Sequence, residues 1–257
     1  MRREGAIATI VLNRPARANT INMSVTVELN DALDTLDADR DVACILITGA
    51  GDRHFCGGAD LREIGGMITE QGVTGDPRRD FIRHIEQVSK PVIAVINGAA
   101  MGGGCEIALA CDFRIIADDA KIGLPEIRFG ALPGGGGTQR LPRLIGLAAA
   151  KEMILTGKLL NAEEALRIGL VNAVAPRIEL EARAMALAES LIDKAGYALA
   201  AGKALLNQAL DLPLDDGLAL ERRTVRDMAS DAERRSAQEK SAANSAVYSN
   251  IFAEKQE

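Results

Sequence analysis

The sequence predicts an α/β fold with crossover connections and a helical C-terminal part. Three observations carry this. Short apolar runs alternate with helix-period segments through the front of the chain. Gly, Pro and Asn punctuate the junctions between them. From about Arg177 onward the composition turns to Ala, Leu, Glu, Lys and Arg, with apolar residues at helical spacing.

Ala6 to Leu12 reads as a strand. Val25 to Leu36 reads as an amphipathic helix, with Val25, Leu29, Leu33 and Leu36 on one face. Val42 to Ile47 is a second buried strand, closed by Gly49, Ala50 and Gly51. Phe81 to Val88 is helical, and Pro91 opens a strand over Val92 to Ile96. A turn at Asn97-Gly98, a glycine run, a small-residue helix and a strand near Phe113 to Ala117 follow. In the back third, Leu180, Met185, Leu187 and Leu191 mark one helix. Further helices fit Tyr197 to Leu210, Leu214 to Met228 and Ala232 to Val247. The chain shows no internal repeat and no low-complexity linker.

Composition narrows the function classes. Of 257 residues, 47% are hydrophobic, which excludes intrinsic disorder. A net charge of −6 weighs against a phosphate-backbone binder, so no nucleic-acid partner is expected. It also weighs against an electrostatic membrane binder, and no apolar stretch is long enough for a span. The start of the chain leaves no room for a signal peptide. Four cysteines without a CxxC pair suggest a reduced, cytoplasmic protein. His54 and His84 are the only histidines, which excludes a histidine-rich metal site, and no metal is expected. G-x-S-x-G, Walker-type and G-x-G-x-x-G motifs are absent.

Three segments carry candidate chemistry: Phe55 to Leu61, Asn97 to Asp112, and Gly123 to Arg128 followed by Gly130, Pro133 and Gly134 to Gly137. The triplet Gly102 to Gly104 opens a helix, where free N–H groups face outward. Such a site suits an oxygen that gains charge during reaction; the triplet also reads as an aid to tight packing. The Gly58-Ala59 turn offers a second N–H donor. Glu106 lies in an otherwise small, apolar run, where burial raises a carboxyl pKa; it also reads as a solvated first-turn acid. Glu126 stands between Pro125 and Ile127, with a surface loop acid as its other reading. Two carboxyls beside an oxyanion site would suit adding water across a polarised double bond.

Taken in order and spacing, these segments resemble the enoyl-CoA hydratase/isomerase (crotonase) family. Leu12-Asn13-Arg14-Pro15 with Asn19, Lys90 to Ala94, Gly137-Thr138-Gln139-Arg140-Leu141, Thr156-Gly157 and Ala162 to Val171 extend the likeness over most of the chain. The resemblance implies a spiral of ββα units with a C-terminal helical trimerisation region. It divides the chain into a core with the active site (1–195) and a helical oligomerisation region (196–257). It implies N–H groups of Ala59 and Gly103 forming an oxyanion hole. Glu106 would activate water and Glu126 would transfer a proton at the α-carbon. Gly57, Ala59, Asp60, Leu61, Arg62 and Gly103 would contact the substrate or its CoA portion, with Arg17 a further phosphate candidate and Asp60 bracing its turn. The implied activity is hydration of a trans-2-enoyl-CoA to a 3-hydroxyacyl-CoA. CoA enters as part of the substrate, with no permanently bound cofactor, and the chain assembles as a homotrimer or dimer of trimers. An isomerase, dehydratase or hydrolase of the same fold is the alternative, followed by a non-catalytic acyl-CoA or RNA binder. Two departures from the family pattern stand out. Glu233 to Lys240 lacks the family's C-terminal Phe, with Phe252 and Lys255 not aligned to that role. The loop from Met67 to Arg79, expected to shape the acyl pocket, is unlike the family's.

Overall fold

The computed structural model describes residues 1–60, 62–63, 68–69, 72–73 and 80–230. The expected helix Ala232–Val247 and the segment Glu233–Lys240 lie outside these residues, as do Phe252 and Lys255. So does the Met67–Arg79 loop, apart from a pair of two-residue strands.

The chain opens with β1 (Arg2–Glu4) and β2 (Ile7–Leu12), an antiparallel pair turning at Gly5. Helix α1 (Met23–Ala38) follows, started by the Asn22 side chain, which accepts from the Val25 N–H at 3.1 Å. It buries Leu29, Leu33 and Leu36, three of the four positions its periodicity marked. Strand β3 (Cys44–Gly49) starts two residues later than the apolar run suggested and is buried throughout. Next come β4 (His54–Cys56), the paired β5 (Ile68–Thr69) and β6 (Gly72–Val73), and α2 (Phe81–Gln87). They lead to β7 (Val92–Ile96), β8 (Ala99–Met101), α3 (Gly103–Ala110), β9 (Phe113–Ala117) and β10 (Lys121–Gly123).

A 3-10 turn at Glu126–Phe129 leads into α4 (Gly137–Ile145) and α5 (Leu147–Thr156). The series continues with β11 (Leu159–Asn161), α6 (Ala162–Arg167), β12 (Ala173–Ala175) and α7 (Leu180–Ile192). Two helices follow, α8 (Gly196–Gln208) and α9 (Leu214–Ser230).

Two sheets organise these elements. The larger has the order β1-β2-β3-β7-β9-β12, parallel except for β1, and its inner strands are apolar on both faces. The smaller has the order β11-β10-β8-β4. Strands β3, β7 and β9 lie in the large sheet, and each is followed by one strand in the small sheet (β4, β8, β10) and then by helix. This is the ββα repeat the resemblance implied. Asn97 secures one crossing between sheets, accepting from Gly49 N and donating to the carbonyls of Gly49 and Gly51. Gly98 must be glycine there, because a Cβ would lie 2.4 Å from the Arg53 backbone.

Helix α3 touches strands of both sheets together with α2 and α4, and everything after Gly103 in it is buried. At its far end the buried Arg114 guanidinium donates to the carbonyls of Ala108, Cys111 and Leu170. All four cysteines are buried thiols outside any disulfide. Burial pushes the Cys56 thiol up to about 12, against a hydrogen bond from the Gly58 backbone. By internal contacts the chain falls into two units, Met1–Ala200 and Ala201–Glu257, the division lying within α8.

Candidate active site

Two backbone turns meet at the N-terminus of α3. The first is Cys56 to Asp60, leaving β4. Its amides are nearly all committed: Gly57 N donates to Ala18 O and Asp60 N to Ile21 O, both at 2.8 Å, and Gly58 N bonds the Cys56 sulfur. Among the described residues, the Ala59 N–H donates to nothing. The second turn is Gly102-Gly103, where Gly102 takes φ +55° and no side chain caps the helix. Gly103 N, the first amide of α3, is likewise without an acceptor. A Cβ on Gly103 would sit 3.6 Å from Ala59 N, and one on Gly58, whose φ is +93°, 3.3 Å from Gly103 N. The two open donors are therefore neighbours, at the positive end of a buried helix.

The loop between β2 and α1 braces this arrangement. Asn19 is buried in a left-handed conformation, accepting from Arg14 N and donating to the carbonyls of Ala50 and His54. Arg14 reaches the Thr20 carbonyl at 2.8 Å and Asp60 Oδ2 at 3.2 Å. Burial works against the Asp60 carboxylate. The Arg62 N–H, Arg14 and Thr20 outweigh it and hold the carboxyl below its usual range. Asp60 is thereby tied to Arg14, Thr20 and the Arg62 N–H. Gly57 is half-buried against Ala18 and Thr20, while Arg17 and Arg62 are exposed. Leu61 lies outside the described residues.

The two glutamates arrive from different elements. Glu106, in the first turn of α3, is only 4% exposed. Its Oε1 accepts from Gly135 N at 2.7 Å and Gly137 N at 2.8 Å. Burial raises its pKa, opposed by those two amides and by the charge of Arg140. Glu126 opens the 3-10 turn after β10, and its Oε1 is placed so that a Cβ on Gly102 would come within 2.9 Å. Its pKa is raised by burial and further by the neighbouring Glu106 charge, against a backbone hydrogen bond. Among the described residues, Glu126 Oε2 is the one buried side-chain oxygen or nitrogen without a hydrogen-bond partner.

The fold therefore gathers Ala59, Gly103, Glu106 and Glu126. Neither glutamate fits its alternative reading as a solvated surface acid. The sequence assigns no task to the glycines Gly134 to Gly137; in the structure two of them hold Glu106. The signal available was physical: a carboxylate in an apolar run needs N–H donors, and a glycine run supplies unobstructed ones.

Chemically, two carboxyls that resist sharing full ionisation provide one acid and one base. Two neighbouring open N–H groups are the donor type that can hold a developing oxyanion. No group of three or more His, Cys, Asp or Glu able to hold a metal occurs among the described residues, and none of their helices is long and apolar enough to cross a membrane.

Comparison with known proteins agrees with this architecture. The chain is 40% identical over 222 residues to the short-chain-enoyl-CoA hydratase of Clostridium acetobutylicum, covering 86% of this chain and 85% of that one. The crotonyl-CoA hydratase of Syntrophomonas wolfei matches to the same extent. The crystal structure of an enoyl-CoA hydratase from Bacillus anthracis superposes with a TM-score of 0.86 at 37% identity, covering 95% of each chain. Residues 2–249 match the family described as enoyl-CoA hydratase/isomerase. The ββα architecture, these relatives and the extent of that match together show that the chain belongs to the enoyl-CoA hydratase/isomerase family.

Proposed function

We propose that this member hydrates a trans-2-enoyl-CoA to a 3-hydroxyacyl-CoA. The observation that carries the reading is a buried carboxyl, Glu106, and a half-buried one, Glu126, beside two open N–H groups. One carboxyl is anchored on Oε1, and the other holds a buried oxygen with no partner. The thioester oxygen takes the Ala59 and Gly103 amides, which hold the charge that appears there as the double bond is attacked. Glu106, ionised, draws a proton from water as the water oxygen bonds to C3. Glu126, protonated, delivers a proton to C2. Proximity of the two acids and their partial withdrawal from solvent favour this split, because double ionisation is costly.

Gly57, Ala59 and Asp60 to Arg62, with Arg17 beside them, form the segment that meets the CoA portion. Asp60 contributes by keeping the turn in place. CoA is part of the substrate, and the reaction needs no further cofactor. The protein works in the cytoplasm as a homotrimer or dimer of trimers.

The test is loss of conjugated-thioester absorbance across a panel of trans-2-enoyl-CoA esters of increasing chain length. Hydration of at least one ester, with 3-hydroxyacyl-CoA as product, is expected. A panel inert to hydration but showing double-bond migration would overturn the reading in favour of an isomerase.

A further inference from the structure

What fixes Glu106 is itself fixed. Gly135 is gripped on both sides: its N–H donates to Glu106 Oε1 at 2.7 Å, and its carbonyl accepts from Arg140 Nη1 at 2.8 Å. Arg140, on α4, is in turn clamped by Glu86 of α2 through a two-pronged fork, Nε to Oε1 at 2.6 Å and Nη2 to Oε2 at 2.7 Å. Both side chains are largely shielded from solvent. The loop has no slack. A Cβ on Gly135 would strike Ile82 Cδ1 of α2 at 2.4 Å, and one on Gly136, where φ is +102°, would meet Arg140 Nη1 at 2.0 Å.

We propose that Arg140, held by Glu86, is a positioning residue for Glu106: it fixes the Gly135 peptide so that the Gly135 and Gly137 amides converge on one carboxyl oxygen. The inference rests on the acid–base assignment of Glu106 made above. The planar guanidinium suits the task because three acceptors must be met at once, two carboxylate oxygens and a carbonyl. A lysine ammonium keeps the charge but not the fork. The Arg140 charge also opposes the upward push of burial on the Glu106 carboxyl. The other ionisable groups around the pair are Glu126 and Cys105 beside Glu106, and Asp80 and Glu86 beside Arg140.

The experiment compares Arg140→Gln, Arg140→Lys and Glu86→Gln with wild type by kcat, KM and thermal midpoint. Alongside, the Glu106 carboxyl is titrated by carbon-13 NMR of glutamate-labelled protein, its signal assigned with Glu106→Gln. Arg140→Gln should lower kcat by about tenfold to a hundredfold, with KM little changed and the Glu106 midpoint moved upward. Arg140→Lys should restore the midpoint toward wild type yet leave kcat low, the signature of lost geometry. Glu86→Gln should lower kcat less. Wild-type kcat in both Arg140 variants, or a loss confined to KM, overturns the proposal. If Arg140→Gln does not fold, an unchanged kcat in Glu86→Gln overturns it and a lowered one supports it. If wild type hydrates no ester, the functional reading fails separately. The amide proton shifts of Gly135 and Gly137 then decide: a change in both Arg140→Gln and Arg140→Lys supports positioning, and unchanged shifts overturn it.

Discussion

Glu126 shows how a residue can work against the fold that holds it. In the unfolded chain it ionises at the ordinary carboxyl pKa. In the fold, burial and the Glu106 charge keep its proton on to higher pH. The unfolded state therefore sheds that proton first, and stability falls as pH rises through the folded-state pKa. Glu126→Gln removes this loss. The variant should melt above wild type at about pH 8 and converge with it at about pH 4, below the unfolded pKa; calorimetry at the two pH values checks this. Its activity should move the other way. Glu106→Gln and Glu126→Gln should each lose about a hundred- to ten-thousandfold in hydration rate. On the proposed mechanism, in which both serve one transition state, the double variant should be little worse than the poorer single one; multiplying losses would separate their roles. Gly103 tests the backbone donors. A Cβ there meets Ile21 Cδ1, a side-chain tip that can move, at 2.9 Å. Gly103→Ala should therefore fold, yet lose rate on the order of a hundred- to a thousandfold, because the methyl crowds the space beside Ala59 N. Steady-state kinetics with a melting curve distinguish the two effects.

At the scale of elements, α3 carries one open amide and Glu106 at its N-terminal end and is pinned by Arg114 at the other. Arg114→Met keeps apolar volume but leaves the carbonyls of Ala108, Cys111 and Leu170 without that donor. A loss of about 3 kcal/mol or more in urea unfolding is expected, since a buried polar group left unpaired costs about 1–3 kcal/mol. The same scale shows what the sequence reveals of this fold and what it conceals. The Val92–Ile96 and Phe113–Ala117 strands match β7 and β9 end to end, because a short, mainly apolar run bounded by turn residues is the pattern of a buried parallel strand, interrupted in β9 only by Arg114. The expected helix ends at Val25 and Leu36 fall two residues inside α1, because Met23-Ser24 and Asp37-Ala38 add no further member to the Val25-Leu29-Leu33-Leu36 face. The strands β4, β8, β10, β11 and β12 escape notice because three residues are too few to display a period. Both glutamates stand out by their apolar company. Their partners do not, since Glu106 meets Gly135 and Gly137 across 29 and 31 residues of chain.

At the scale of the whole molecule, the C-terminal helices leave large apolar side chains in solvent. Leu206, Leu210 and Leu214 are 75%, 68% and 77% exposed in the single chain, and α8 buries no residue. A second copy of the chain is the cover we propose for them. Wild type should elute as a trimer or larger in light scattering at micromolar concentration, and Leu206→Lys with Leu210→Lys should shift it to smaller species. A monomeric wild type would refute the assembly. The placement of the cysteines has a consequence of another kind. Cys44 and Cys56 sit on strands of different sheets, and Cys105 and Cys111 bracket most of α3. A thiol is attacked as thiolate, and burial suppresses that form at Cys56 and Cys105. The protein thus carries its own clock: an alkylating reagent added to the native state marks the moments when the centre opens. Joint labelling of all four would mean that both sheets and the helix between them open as a single cooperative unit.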